Sequence, residues 1–153
     1  MKQYDRIIFV DSDDTTRAPM AKVIMKSKFL LASMEICSRG LVVLFPEPMN
    51  QKAEAVLISN GYDTKSHAAA QLMQEDIHER VLILTMEDSQ KAKIWGNYEN
   101  AAHVYTIAEF IGLSGEVMPL YGEPLAAYGK CYETLEALVS GIVIQLNEEE
   151  LRK

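Results

Sequence analysis

Three aspartates and an arginine lie close together near the start of the chain. Residues 11–17 read DSDDTTR and follow an apolar run over residues 7–10. A polar loop between a strand and a helix points its backbone N–H groups inward, above the helix N-terminus, and so forms a site for an anion. Arg17 adds a planar guanidinium that can hold two phosphate oxygens. The carboxylates of the same loop oppose a bound phosphate, because the negative charges of carboxylate and phosphate repel each other.

Alternating apolar runs and helical stretches predict the elements that position this loop. Four short apolar runs are predicted to be buried strands: residues 7–10, 34–38, 80–85 and 103–106. Helical spacing predicts helices over residues 18–32, 50–60, 66–76, 86–95 and 124–146, with Ser66 as the N-cap of the third. This order predicts an α/β fold, a four-stranded parallel sheet with helices on both faces. In such a sheet a ligand lies beyond the carboxyl ends of the strands, where residues 11–17 leave the first one.

The composition is typical of one globular domain over residues 1–153. Hydrophobic residues make up 48% of the chain and charged residues 24%. The formal net charge of -7 argues against nucleic acid as the main partner, because that affinity depends on cationic side chains. No apolar stretch is long enough to cross a membrane and the N-terminus has no signal-peptide pattern, so we expect a cytoplasmic protein without a membrane partner. Cys37 and Cys131 are expected to be buried thiols.

Residues 10–21, VDSDDTTRAPMA, resemble the phosphate loop of the low-molecular-weight protein tyrosine phosphatases, whose pattern is V-C-x-x-N-x-C-R-S-P-M-A. The spacing matches without gaps, and the resemblance continues over residues 38–63, 66–72, 80–94 and 104–138. It implies that family's fold, a four-stranded parallel sheet flanked by helices. It also implies that Arg17 binds phosphate and that Tyr121 lines the substrate cleft. The remaining binding positions that it implies are those of Ser12, Asp13, Asp14, Thr15 and Thr16.

The positions that carry the family's chemistry are changed in this chain. Asp11 stands where the family has its cysteine nucleophile, and Ala18 where it has the serine that hydrogen-bonds that nucleophile. Aligning Tyr121 and Gly122 on the family's D-P-[YF]-G motif places Pro119 where the general-acid aspartate belongs. Proline cannot protonate a leaving group, and general acid catalysis typically contributes about 10²–10⁴-fold. We therefore expect a catalytically inactive pseudophosphatase that binds a phosphorylated or acidic ligand, or a protein.

An active phosphatase is the alternative. Asp11, Asp13 and Thr15 form the pattern D-x-D-x-T, which resembles the first motif of the haloacid dehalogenase-like phosphatases. In that family the first aspartate attacks phosphorus, and Mg²⁺ offsets the repulsion between carboxylate and phosphate. The alternative is thus a phosphoric monoester hydrolase, with Mg²⁺ and with Asp11 as its nucleophile. A weak Mg²⁺ site among Asp11, Asp13 and Asp14 stays open; otherwise we expect no metal and no cofactor.

Further expectations concern how the altered loop is held. Asp14 stands for the asparagine that braces the family's loop, and Thr16 for its second cysteine. The carboxylate of Asp11 is expected to fill the anion site from within, held by loop amides or by Arg17. His67 is expected to be structural.

Overall fold

Four parallel strands form the centre of the fold. In the computed structural model, which describes residues 3–152, their order across the sheet is β2-β1-β3-β4. They are β1 (Arg6–Asp11), β2 (Glu35–Gly40), β3 (Val81–Thr85) and β4 (His103–Thr106). Each coincides with one of the predicted apolar runs to within about two residues, so the predicted parallel sheet is confirmed. Residues 7–10 of β1 are fully buried, as expected of a strand covered on both faces.

Helices cover both faces of this sheet. They are α1 (Arg17–Lys26), α2 (Gln51–Ser59), α3 (Asp88–Asn97), α4 (Ile107–Phe110) and α5 (Leu125–Leu151). Side chains of β1 alternate between the two faces. Ile7 and Phe9 pack in a core with α1, α2 and α5, whereas Ile8 and Val10 pack in a second core with Ile94 of α3. The predicted α/β class, with helices on both faces, is therefore confirmed.

The register of the strands brings three loops to one edge of the sheet. Asp11 pairs with Gly40 of β2, and Val10 pairs with Thr85 of β3. Because the strands are parallel, the residues that follow each of them lie at the same carboxyl edge. Residues 12–16 therefore lie between the start of the loop after β2 and the segment that leads from β3 into α3.

The predicted helix over residues 66–76 is wrong. Residues 66–73 are not helical, and only Gln74–Asp76 form a short 3-10 turn. Ser66 has a φ of 75° and does not cap a helix. Gly40 explains the difference: its N–H donates to the Ala70 carbonyl at 2.9 Å, and its carbonyl accepts from the Leu72 N–H at 2.9 Å. This pairing at the sheet edge overrides the helical preference of the alanine-rich segment.

Two helix ends also differ from the prediction. α1 ends at Lys26 and does not extend to residue 32, because the Ser27 N–H and hydroxyl both bond to the Ile24 carbonyl and close the last turn. α5 extends to Leu151 instead of ending at residue 146. Among the helices of residues 3–152, none combines the length and the apolar character that a membrane-spanning segment requires.

The two cysteines carry free thiols, as predicted, although only one is deeply buried. Cys131 lies in the core and Cys37 is partly buried. Burial raises the pKa of Cys131 to about 11, and it also raises the pKa of Cys37. A thiol with a raised pKa is a poor nucleophile, so neither cysteine replaces the missing one at position 11.

We predict that Gly40→Ala destabilises the protein by about 1–3 kcal/mol, because an added Cβ overlaps backbone that cannot move freely. That Cβ would lie 2.6 Å from the carbonyl carbon of Asp13 and 2.7 Å from Cγ2 of Val43. Urea unfolding measures the change. Gly129→Ala in α5 is the matched control, because a Cβ there meets nothing within 4 Å. Helix propensity predicts that the control gains about 0.5–1 kcal/mol. Equal stability of Gly40→Ala and the unaltered protein would contradict the close packing of β2 on the loop.

Candidate functional site

The carboxylate of Asp11 is held inside the loop that follows β1. Its side chain is 1% exposed, and both of its oxygens accept hydrogen bonds from backbone amides. Oδ1 accepts from the Asp14 N–H at 2.7 Å, and Oδ2 accepts from the Ala18 N–H at 3.0 Å. Of the two expected ways of holding this carboxylate, the structure shows the loop amides and no bond to Arg17. The acceptor for these amides is therefore a carboxylate of the protein itself.

Burial sets the protonation of Asp11. Loss of hydration raises its pKa to about 6, although the two amide bonds and the charge of Arg17 act in the opposite direction. The group is therefore mostly ionised at neutral pH. Hydrogen bonds to a charged acceptor are roughly twice as strong as those between neutral groups, which is how the loop keeps a buried carboxylate.

The guanidinium of Arg17 is paired with a carboxylate that the sequence analysis did not identify. Nη1 donates to Oε2 of Glu87 at 2.7 Å and to the carbonyl of Val117 at 2.7 Å, and Nη2 lies 3.4 Å from Oγ of Ser12. Arg17 is 3% exposed. Glu87 is positioned in turn by Gln90, whose Nε2 lies 3.2 Å from the same oxygen. The positive charge expected to bind phosphate is thus largely neutralised within the protein.

Asp14 anchors the far side of the loop. It has a φ of 59°, a conformation that asparagine and aspartate adopt more readily than most residues. Oδ2 accepts from the Ala70 N–H at 3.0 Å, which ties the loop to the segment paired with Gly40. Oδ1 is buried and makes no hydrogen bond within residues 3–152, and the same holds for Oγ of Ser38. Burial raises the pKa of Asp14 to about 6.

The ring of His67 contacts the backbone of the loop, which supports the structural role expected for this residue. Its Nε2 lies 2.7 Å from the Asp14 carbonyl oxygen, and its Nδ1 lies 2.7 Å from Nζ of Lys22. A lysine ammonium can only donate, so Nδ1 accepts and Nε2 carries the proton that bonds to the carbonyl. Burial lowers the pKa of His67, in keeping with a neutral ring.

The three aspartates of the loop do not form a shared Mg²⁺ site. Asp13 accepts from the N–H and the hydroxyl of Thr15, at 3.2 and 2.8 Å, while Asp11 and Asp14 bond to the amides described above. Across the described part of the chain, no group of three or more carboxylate, histidine or cysteine side chains is arranged to hold a metal ion. Thr16 is the N-cap residue of α1, and its side chain makes no hydrogen bond to the first turn of that helix. The arrangement therefore does not fit the weak Mg²⁺ site that the sequence left open.

A cleft of about 380 Å³ lies over this loop, beside Tyr121. Its lining residues come from the loop, from the segment after β2, and from the start of α3: Ser12, Asp13, Leu41, Val42, Glu87, Ser89, Gln90, Lys93 and Tyr121. Tyr121 is one of these lining residues and is 68% exposed. Pro119 is partly buried and does not line the cleft.

Glu87 and Gln90 are the site residues that the sequence analysis missed. Glu87 lies two residues beyond the end of β3, at the carboxyl edge that also holds residues 12–16. The rule that ligands and site residues gather at this edge was the signal that could have identified it. The carboxamide oxygen of Gln90 accepts from the N–H groups of Met86 and Glu87, both at 3.0 Å, and so fixes this segment.

We predict that Asp14→Asn raises the free energy of unfolding at pH 7 by about 1–3 kcal/mol, because it removes a buried charge whose Oδ1 is unpaired. The amide oxygen keeps the bond from Ala70, and the amide nitrogen can donate toward Ser38. A carboxyl whose pKa rises on folding makes the protein less stable as pH increases from 3.8 to about 6. Urea unfolding across this range should therefore show a smaller loss of stability in Asp14→Asn.

Asp13→Asn is the matched control for that measurement. It makes the same change of charge in the same loop, but at a partly exposed residue whose Oδ1 still accepts from Thr15. We expect its stability to change by less than about 0.5 kcal/mol. If Asp14→Asn lowers stability at pH 7 and leaves the pH dependence unchanged, the burial of this charge does not act as described.

This chain is similar to known phosphatases over most of its length. The family model described as "Low molecular weight phosphotyrosine protein phosphatase" matches residues 6–152. The low molecular weight protein-tyrosine-phosphatase PtpB of Staphylococcus epidermidis is 31% identical over 137 residues, which cover 90% of this chain and 96% of that relative.

Two solved structures share the whole architecture. A low molecular weight protein tyrosine phosphatase from T. tengcongensis matches with a TM-score of 0.85 and 35% identity, over 92% of this chain and 98% of that one. The YwlE arginine phosphatase from Geobacillus stearothermophilus matches with a TM-score of 0.90 and 28% identity, over 96% of each chain. The chain therefore belongs to the low-molecular-weight phosphotyrosine protein phosphatase family.

Proposed function

We propose that this chain is a catalytically inactive member of its family, which keeps the fold and uses the old substrate cleft as a binding surface. The observation that carries the proposal is the state of Asp11. Its side chain is 1% exposed, and its two oxygens accept hydrogen bonds from the loop amide of Asp14 and from the amide of Ala18 in the first turn of α1. A nucleophile must present a free lone pair to phosphorus at close range and in line with the leaving group. At 1% exposure, neither oxygen of Asp11 can be reached by a phosphoryl group unless the loop moves.

The groups that would assist the reaction are also compromised. Arg17 is paired with Glu87 at 2.7 Å, so less of its charge is available to phosphate oxygens. Pro119 stands at the general-acid position and offers no proton to a leaving group. Stabilisation of developing charge and proton donation are two of the larger contributions to phosphate ester hydrolysis. Both are weakened here, together with the nucleophile.

The surface around the cleft supports protein binding more than phosphate binding. Three charged residues line the cleft: Asp13, Glu87 and Lys93. Glu87 is paired with Arg17, so Asp13 is the carboxylate that disfavours an anion. Exposed apolar side chains lie beside it in the loop after β2, where Val42, Leu44 and Phe45 are 66%, 85% and 61% exposed. Exposed apolar groups around a polar depression are typical of protein interaction sites. The occupant we propose is a protein segment that places a basic side chain over Asp13, with apolar neighbours on Val42 and Phe45.

The name of one relative is consistent with a protein as the ligand. A curated relative from Geobacillus stearothermophilus, 27% identical over 147 residues, is named a protein-arginine-phosphatase. The side chain in that name is cationic when it is not phosphorylated, and such a group complements the carboxylates of this cleft. The acidic or phosphorylated ligand that the sequence also allowed is the less favoured occupant of the cleft.

The competing function is hydrolysis with Asp11 as nucleophile and Mg²⁺ as cofactor. The pattern of Asp11, Asp13 and Thr15 favours it, because it resembles the aspartate phosphatases named above. The hydrogen bonds of Asp11 and the separate partners of Asp13 and Asp14 weigh against it.

We predict that the unaltered protein hydrolyses an aryl phosphate no faster than Asp11→Ala, with or without Mg²⁺. The reason is that Asp11 is buried, out of reach of a substrate, and no acid protonates the phenolate. Release of the coloured phenol measures the rate. The triple variant Asp11→Cys, Ala18→Ser, Pro119→Asp restores the family's nucleophile, the serine that hydrogen-bonds it and the general acid, and should gain turnover.

Comparing Asp11→Cys with the triple variant separates the loss of the nucleophile from the loss of the general acid. Asp11→Cys alone should remain about 10²–10⁴-fold slower than the triple variant, because it still lacks the general acid. Turnover by the unaltered protein that requires Mg²⁺ and disappears in Asp11→Ala would establish the competing function and end the proposal.

A further inference from the structure

Three lysines without carboxylate partners line a small pocket behind the loop. Lys22 and Lys26 come from α1, and Lys65 comes from the segment that leads to His67. The pocket has a volume of about 220 Å³. None of the three lysines makes an ion pair with another residue between 3 and 152, although the chain as a whole has a formal net charge of -7. Unpaired like charges in one pocket repel each other and are stabilised by a bound anion.

Lys22 is the innermost of these charges. Its Nζ donates one proton to Nδ1 of His67 at 2.7 Å, and two further N–H groups remain for a ligand. Burial lowers the pKa of Lys22; the charge of Asp14 acts against this effect, and the charge of Lys26 adds to it. A bound anion would compensate both the lost hydration and the repulsion from Lys26.

Other groups of the pocket are compatible with an anion. Asp63 is the one carboxylate among the residues that line it, and its Oδ1 is occupied by the N–H of Lys65 at 3.0 Å. Ser66 also lines the pocket and has a φ of 75°, an unfavourable conformation for a residue other than glycine. Such strain occurs preferentially at ligand sites and persists when the surroundings require it. The hydroxyl of Ser66 is an additional donor for an oxyanion.

We propose that the pocket formed by Lys22, Lys26 and Lys65 binds an oxyanion of the phosphate class, either inorganic phosphate or the phosphoryl group of a small phosphomonoester. A tetrahedral oxyanion offers several acceptors, which suits a pocket lined by three ammonium donors. The volume of 220 Å³ lies below that of typical pockets for drug-sized molecules, which favours a small anion. This site is distinct from residues 11–17, although His67 joins the two by its bond to the Asp14 carbonyl.

Amide chemical shifts of the whole chain, followed during titration with inorganic phosphate, test the proposal. Saturable changes are expected at Lys65, Ser66 and His67, with a dissociation constant on the order of 1–10 mM. The double variant Lys26→Gln, Lys65→Gln should weaken binding by about tenfold or more, because it removes two of the three positive charges that attract the anion. Lys130→Gln, at an exposed position of α5, is the control and should leave the affinity unchanged.

Two further titrations separate the sources of the anion. Phosphotyrosine that binds at the same amides more tightly than inorganic phosphate would identify a phosphomonoester site; equal or weaker binding would identify a site for the free anion. Sodium chloride at matched ionic strength corrects for screening. The proposal is overturned if chloride gives the same shifts, if the double variant binds phosphate as well as the unaltered protein, or if the saturable shifts lie only at residues 12–17.

Discussion

The hydrogen bonds between the Asp11 carboxylate and the amides of Asp14 and Ala18 determine how the carboxyl edge of the sheet is arranged. They lie where β1 ends and α1 begins, so they fix the path of the chain between the two elements. Removing a carboxylate from water is unfavourable by several kcal/mol, and charge-assisted bonds to amides offset that penalty. The loop therefore remains an anion site in its geometry, but its anion is a side chain of the protein.

The charges around the loop are consistent with this internal anion. Arg17 is turned toward Glu87 and the Val117 carbonyl, and the resulting pair is almost entirely within the protein. Asp14 bonds to Ala70, which holds the segment after residue 66 against Gly40. Lys22, Lys26 and Lys65, which make no ion pair with another residue between 3 and 152, line a separate pocket. Affinity for phosphate is thus proposed for the lysine pocket, and affinity for a basic protein segment is proposed for the cleft.

The sequence predicted the parts of the fold that depend on local hydrophobic pattern. All four strands and the loop between β1 and α1 follow from apolar runs and the polar residues after them. Residues 66–76 were predicted incorrectly because their conformation depends on Gly40 and Asp14, which are distant in the sequence. The pairing of Arg17 with Glu87 spans 70 residues and could not be read from spacing. The family resemblance identified the changed positions 11, 18 and 119, but the hydrogen bonds of Asp11 required the structure.

A search for a phosphoryl group on Asp11 reveals whether this residue acts as a nucleophile. The protein is mixed with an aryl phosphate in the presence of Mg²⁺, quenched in acid within the first seconds, and digested for mass spectrometry. Because Asp11 is 1% exposed and its oxygens accept from the amides of Asp14 and Ala18, we expect no phosphorylated peptide containing residue 11, even at high substrate concentration. A phosphoryl group that maps to Asp11 and is absent from Asp11→Asn would contradict it.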